Sequence, residues 1–249
     1  MSPATTQASC LIVDLGLIGY AEASALQQRL VAARKANAIG DTLLLCEHPH
    51  VITLGRNAKR ENLLASDRIL QQKNVELHET NRGGDITYHG PGQIVAYPIL
   101  DLAAIKRDVG WYVRMLEETM IRATADYGIA ATREPGKTGI WVSDSSQRNA
   151  AEKLGAIGVH LSRWITSHGF AYNVATDLRY FDLIVPCGIA DRKATSLEKI
   201  LSRRVDRVEA SASLTKHFAE VFGLTMNAIG REEFVERLSH AEQPAAVYA

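Results

Sequence analysis

The chain has 249 residues, 46% hydrophobic and 22% charged, with Lys plus Arg matching Asp plus Glu at 28 each. A neutral balance gives no global field toward nucleic acid or an anionic membrane, and no apolar run approaches the ~18 residues of a membrane span. An odd count of three cysteines, with no basic and then apolar leader at the N-terminus, predicts a cytoplasmic chain without a disulfide framework.

No linker, repeat or low-complexity block interrupts the pattern, so one domain over residues 1–249 is expected, with loose ends at about 1–9 and 240–249. "CLIVDLG" (Cys10 to Gly16) reads as a buried strand. Tyr20 to Gly40 reads as a helix with Ala23, Leu26, Leu30 and Ala33 on one stripe and Gly40 as its stop. "TLLLCEH" and "VITLG" are short strands around His48 and His50, which are expected to be exposed loop histidines. Cys10 and Cys46 fall inside apolar strand patterns, where a thiol is a small hydrophobe. A short helix capped by Ser66 and the "VELHET" segment lead to a glycine-rich stretch, and "GQIVAYPIL" then suits a buried strand. Asp108 to Tyr127 is the clearest helix, with Val109, Val113, Leu116, Met120, Ala123 and Tyr127 on its stripe and Gly128 past its end. Further strands follow in "IAATRE", "GIWV", "EKLGAIGVHL" and "WITSHGFAYNV", then apolar "LIVPCGI" and two amphipathic helices, Val208 to Phe222 and Glu232 to Leu238. Strands and helices arranged in blocks predict an α+β fold, a β-sheet with helices.

The glycine-rich stretch, "RGGDITYHGPGQ" (Arg82 to Gln93), invites a phosphate-loop reading. It has neither Gly-x-x-x-x-Gly-Lys-Ser/Thr nor Gly-x-Gly-x-x-Gly, and Pro91, Pro98 and the β-branched content oppose a helix start. Its glycines let backbone bend toward a ligand, or simply build a hairpin. Cys187 differs from the other thiols because Pro186 and Gly188 place it at a turn after an apolar strand, where it is the candidate nucleophile. A free thiol has a pKa near ~8.5, so a cation must sit beside it. Lys153 is the candidate, since alternation along "EKLGAIGVHL" puts it with Gly155 and Ile157; an edge-strand lysine is the competing explanation. Gly155, Gly158 and Gly169 leave room for an apolar ligand, or allow close packing. His89 and His168 are positioned to orient a carbonyl or move a proton. His48-x-His50 lacks further ligands at metal spacing, and no metal site is expected.

"RGGDITYHGPGQIVAYPILDL", "KLGAIGVHLSRWITSHGFAYNV" and "LIVPCGI" resemble, in order, the signature blocks of the lipoyl(octanoyl) transferase family. With "HPHVITLGR" and "GKTGIWV" the resemblance covers about Cys10 to Leu201. It implies a biotin/lipoate protein ligase-like catalytic domain, a mixed β-sheet flanked by helices, and an enzyme that needs no cofactor. It further implies that Cys187 is the acyl-thioester nucleophile and that Lys153 lowers its pKa. Substrate contacts carry over to Arg82, Gly83, Gly84, Asp85, Ile86, Thr87, Tyr88 and His89, to Ala156, Ile157 and Gly158, and to Gly169, Phe170 and Ala171, with His168 in support. The implied partners are octanoyl-acyl carrier protein and the lipoyl domains of 2-oxoacid dehydrogenase complexes and the glycine cleavage H protein. Two positions depart from the family pattern: Gly155, where alanine is usual, bears on acyl-pocket width, and His160, where arginine or lysine is usual, bears on local charge.

Two other functions compete with transfer. An ATP-dependent lipoate or biotin ligase would cluster further arginines beside Arg82 and leave a turn-borne cysteine idle. A non-catalytic module that binds lipoyl domains would keep the glycine-rich cradle and tolerate loss of Cys187 and Lys153.

Overall fold

The structure, a computed structural model, describes residues 8–143, 151–185 and 193–243. The chain starts with β1 (Ala8–Leu17), α1 (Tyr20–Lys35), β2 (Asp41–Glu47) and β3 (Val51–Leu54). A 3-10 turn at Arg60–Asn62 leads to α2 (Asp67–Gln72), β4 (Glu76–Glu79), β5 (Ile86–His89) and β6 (Gln93–Ile99). Next come α3 (Leu102–Ile105), α4 (Val109–Ala125), β7 (Ala131–Glu134), β8 (Lys137–Val142), β9 (Glu152–Ser162) and β10 (Ile165–Asn173). A 3-10 turn at Leu178–Leu183 is followed by α5 (Leu197–Leu201), α6 (Arg207–Phe222), β11 (Leu224–Ala228) and α7 (Arg231–Ala241).

The strands form an eight-stranded sheet, β11-β1-β2-β6-β10-β9-β8-β7, and a three-stranded sheet, β4-β3-β5. β1 is parallel to both its neighbours, and the rest of the large sheet is antiparallel, so it is mixed. Alternation sorts its two faces. Leu43, Leu45, Ile94, Phe170 and Tyr172 meet Tyr112, Leu116 and Met120 of α4 and Leu214 and Phe218 of α6. On the opposite face Leu44, Cys46, Val95, Tyr97 and Ala171 meet Ala23, Leu26 and Leu30 of α1 and Phe234 and Leu238 of α7. The small sheet buries Ile52, Leu54, Ile86 and Tyr88 against Leu70, Leu183 and Ile184. The arrangement is α+β, a mixed sheet flanked by helices.

Several expected boundaries move, each for a local reason. α1 ends at Lys35, and Asn37, not Gly40, takes the left-handed turn with φ +54°. Ser66 is the N-cap residue of α2 but its side chain makes no capping bond. The buried stripe of α4 includes Tyr112 and leaves Val109 43% exposed, because Asp108 caps the first turn at the molecular edge through Trp111 N–H. Leu183 to Val185 is not a strand: Leu183 closes a 3-10 turn and Ile184 makes only an isolated bridge to Leu63. β1 starts at Ala8 and α7 continues to Ala241. The short β11, α3 and α5 were too brief to show a period.

Candidate active site

The glycine-rich stretch supplies β5, the third strand of the small sheet in chain order, and turns into β6 of the large one. Gly92, at φ +79°, donates its N–H to Glu47 Oε2 at 2.7 Å, and its carbonyl accepts from Ala175 N–H at 2.8 Å. A Cβ at Gly92 would stand 2.6 Å from the Ala175 carbonyl, so the glycine lets β5–β6 close against the end of β10. The result is a cleft between β5 and the α1-bearing face of the large sheet. With its open mouth included, the space between these surfaces is about 540 Å³.

Arg82, Gly84, Asp85, Ile86, Thr87, His89, Ala156, Ile157, Gly158, His168, Gly169, Phe170 and Ala171 line this cleft together with Lys153. Gly83 and Tyr88, also expected at the substrate, do not. Gly83 N–H donates to Val159 O, and alternation turns Tyr88 to the far side of β5, where it stacks on Tyr180 and hydrogen-bonds to His50 Nδ1. Tyr20, Val95 and Tyr97 also line the cleft and were missed. The alternation of Val95 and Tyr97 in "GQIVAYPIL" carried the signal for two of them.

Lys153 reaches the cleft by a route that strand alternation does not predict. β8 pairs Ile140 with Gly155 but Trp141 with Lys153, so β9 carries one extra residue, Leu154. The bulge sends Leu154 and Gly155 to the α4 face and returns Lys153 to the face of Ala156 and Gly158. Lys153 Nζ donates to Thr138 O at 3.1 Å and lies 4.7 Å from the centre of the Trp141 ring. Its backbone is held by residues 193–195: Lys153 N–H donates to Lys193 O at 2.8 Å, and Thr195 N–H donates to Lys153 O at 2.9 Å. Cys187, with Pro186 and Gly188, lies outside the described residues.

Three glycines expected to make room for an apolar ligand are filled by the protein itself in the Cβ direction. A Cβ would fall 2.6 Å from Met120 Sδ at Gly155, 3.0 Å from Arg82 Cδ at Gly158 and 2.1 Å from Ala96 O at Gly169. Gly155 therefore does not set the width of the cleft. Arg82 is buried, with its guanidinium on Thr53: Nη2 donates to the carbonyl at 2.6 Å and to Oγ1 at 2.9 Å. Asp85 is also engaged structurally, accepting from Lys59 N–H and from the Asn62 amide.

The cleft histidines, His89 and His168, are neutral. Burial, then His48 beside it, pushes His89 down to about 3, and burial with Arg82 beside it lowers His168 to about 4. His168 takes φ +55° within β10, its N–H donating to Gln27 Oε1 and its Nε2 to Asn81 Oδ1 at 2.6 Å. His48 is fully buried, contrary to the exposed loop expected. Its Nδ1 donates to Ile18 O at 2.8 Å, which assigns Nε2 as the acceptor from Tyr97 O–H at 2.7 Å. His50 is half-buried between Tyr88 and Tyr180. His160 is half-buried, lowered by desolvation and by Arg56 and Lys35, so cations already surround the position where the family carries one. Among the described residues no group of three or more His, Cys, Asp or Glu could hold a metal ion, and no helix is long and apolar enough to cross a membrane.

The sequence model of the lipoyl protein ligase A/B catalytic domain matches residues 19–219. An octanoyltransferase of Solibacter usitatus is 53% identical over 218 residues, covering 88% of this chain and 95% of that relative. One from Acidobacterium capsulatum is 52% identical over 221 residues, covering 85% and 89%. A solved bi-partite lipoate protein ligase of Thermoplasma acidophilum, studied with its E2 lipoyl domain, superposes with a TM-score of 0.71 over 94% of this chain and 91% of that one, at 14% identity.

Proposed function

The chain belongs to the lipoyl protein ligase A/B catalytic-domain family, and on that premise we propose that it carries an octanoyl group through a thioester on Cys187 to a lysine of a lipoyl domain. It is an octanoyltransferase of protein lipoylation. The acyl donor is the thioester of octanoyl-acyl carrier protein, the acceptors are lipoyl domains of 2-oxoacid dehydrogenase complexes and the glycine cleavage H protein, and the chain works as one catalytic domain in the cytoplasm.

The observation that carries the assignment of the nucleophile concerns the other two thiols. Cys10 and Cys46 are fully buried in β1 and β2, and burial drives both far above the ordinary thiol range. Burial disfavours a thiolate at both, which supports Cys187 as the nucleophile. Lys153 supports the same reading, since its side chain lines the cleft and its backbone pairs with residues 193–195.

In the loading step the Cys187 thiolate attacks the carrier thioester, a C–S bond to Cys187 forms, and the C–S bond to the carrier breaks. The leaving carrier thiolate takes a proton from the Lys153 ammonium, leaving that lysine as a neutral amine. In the discharge step the neutral amine of the acceptor lysine attacks the acyl carbon and the C–S bond breaks, its electron pair staying on Cys187. One N–H proton passes to Lys153, which restores the thiolate and ammonium together. Thioester exchange is nearly balanced and amide formation is downhill, so no nucleotide is consumed.

The test is a two-stage label. Enzyme mixed with octanoyl carrier protein alone should gain one octanoyl mass on the peptide containing Cys187, and neutral hydroxylamine should remove it. An apo lipoyl domain should then take the label on its lysine, with or without ATP. Product formed without any acyl-enzyme under single-turnover conditions would mean direct transfer. A requirement for free acid and ATP would make the protein a ligase.

A further inference from the structure

The two half-reactions differ in their protons. Loading exchanges one sulfur for another, whereas discharge must hold an amine with its lone pair on the acyl carbon while one of its two hydrogens leaves. A neutral acceptor that fixes the hydrogen that stays would serve discharge alone. A buried polar chain on β5, β6, β10 and β9 builds such a group.

Gln93 Nε2 donates to Asn173 Oδ1 at 2.9 Å and to Tyr88 O at 3.3 Å, so the amide oxygen is the atom 2.6 Å from His89 Nδ1. That nitrogen therefore carries the proton, and Nε2 keeps its lone pair. Asn173 is oriented in turn, its Nδ2 donating to Thr195 O at 2.9 Å, and Thr195 N–H donates to Lys153 O. Every donor points the same way along His89, Gln93, Asn173, Thr195 and Lys153. Gln93, Asn173 and Thr195 are 2%, 5% and 1% exposed, so none of these bonds has water to replace it. His89 lines the cleft and its Nε2 has no hydrogen-bond partner among the described residues.

We propose that Gln93 and Asn173 are positioning residues that hold His89 as the Nδ1-protonated imidazole, so that its Nε2 accepts a hydrogen bond from the acceptor lysine amine during discharge. This rests on the acyl-enzyme reading above. His89 holds the N–H that remains in the amide and Lys153 receives the proton that leaves. Burial first, and then His48, Arg82 and His168 around it, disfavour a positive charge on the imidazole and keep it an acceptor, and Tyr20 stacks on the ring at 6.4 Å. His89 thus orients the amine without carrying its proton away, and Gln93 and Asn173 act through it.

The experiment separates the half-reactions and observes the imidazole directly. Wild-type enzyme, Gln93→Leu, Gln93→Glu and Asn173→Ser are labelled with ¹⁵N-histidine, and the ring nitrogens of His89, assigned by comparison with His89→Gln, report which one is protonated. Each enzyme is then loaded from octanoyl carrier protein and discharged onto an apo lipoyl domain in single turnovers. Wild type should show protonated Nδ1, and Gln93→Leu should lose that preference, loading within threefold of wild type but discharging at least tenfold more slowly. Gln93→Glu keeps an acceptor opposite Nδ1 and should recover most of the discharge rate. Asn173→Ser gives the same reading in milder form should the leucine variant not fold. Protonated Nε2 in the wild type, or equal effects on loading and discharge, would overturn the proposal. Failure of the wild type to load at all would instead overturn the acyl-enzyme reading, and the nitrogen spectrum would still stand by itself.

Discussion

At Gly155 an added methyl would meet Met120 Sδ at 2.6 Å and Ile140 Cγ1 at 2.9 Å, on the face of β9 that packs under α4. Gly155→Ala should therefore cost on the order of 1 kcal/mol or more of stability through overpacking. Its preference among C6, C8 and C10 acyl donors should not change; a shifted preference would return Gly155 to the acyl pocket. Two residues away, Lys153 differs in kind. On the proposed pairing of Lys153 with Cys187, the Cys187 thiol should titrate below ~8.5, the value of a free thiol. The midpoint of iodoacetamide alkylation of Cys187 against pH should rise in Lys153→Ala, with transfer falling by orders of magnitude. Equal midpoints in the two proteins would remove the proposed coupling. Cys10→Ser and Cys46→Ser, each placing a hydroxyl where a thiol is fully buried, should lower the melting temperature and leave the rate of transfer per folded molecule unchanged.

Among the elements, α4 offers a clean measurement because Asp108 accepts from Trp111 N–H at 2.8 Å at its N-terminus. Asp108→Ala should cost about 1 kcal/mol, seen as a lower urea midpoint with an unchanged slope. The stripe of α1 and the unbroken apolar run of β6 were legible in the sequence, because each depends on neighbours three or four residues away or on a run of one residue class. The bulge at Leu154 was not legible. Alternation assumes constant register, and the extra residue is defined only by the partner strand, where Ile140 and Trp141 pair with positions two apart on β9. The burial of His48 was hidden for a similar reason: a histidine after a strand reads as a loop residue until Ile18 O and Tyr97 O–H are brought to its two nitrogens from distant segments. The blocks that resemble the family pointed to most of the cleft, but they could not show that Tyr88 turns away from it or that Tyr20 enters it.

For the molecule as a whole, the neutral histidines make stability depend on pH. His89 and His168 sit at about 3 and about 4 in the folded protein, below the ~6.5 of an unfolded chain. Below pH ~6.5 the unfolded state binds protons that the folded state does not, so stability is complete above that pH and is lost as pH falls toward 4 and then 3. Each histidine contributes up to about 1.4 kcal/mol per pH unit in that window. The urea midpoint should fall between pH 7.5 and pH 5.5 in wild type and fall less in His89→Gln. Carboxylates such as Asp14, held below the usual range by burial-opposed bonds to Arg207, act only at more acid pH and do not imitate this effect. The order of the large sheet has a further consequence for how the protein is made. β1 is completed on its outer side by β11, pairing Ala8 with Leu224 and Ile12 with Ala228. Until β11 has emerged from the ribosome, β1 keeps one open row of amides and carbonyls, a template for adding a strand from another nascent chain. Messages truncated before Leu224 should accordingly yield inclusion bodies in place of a shortened soluble enzyme, and slowing translation late in the gene should raise chaperone occupancy on the nascent chain more than the same delay placed early.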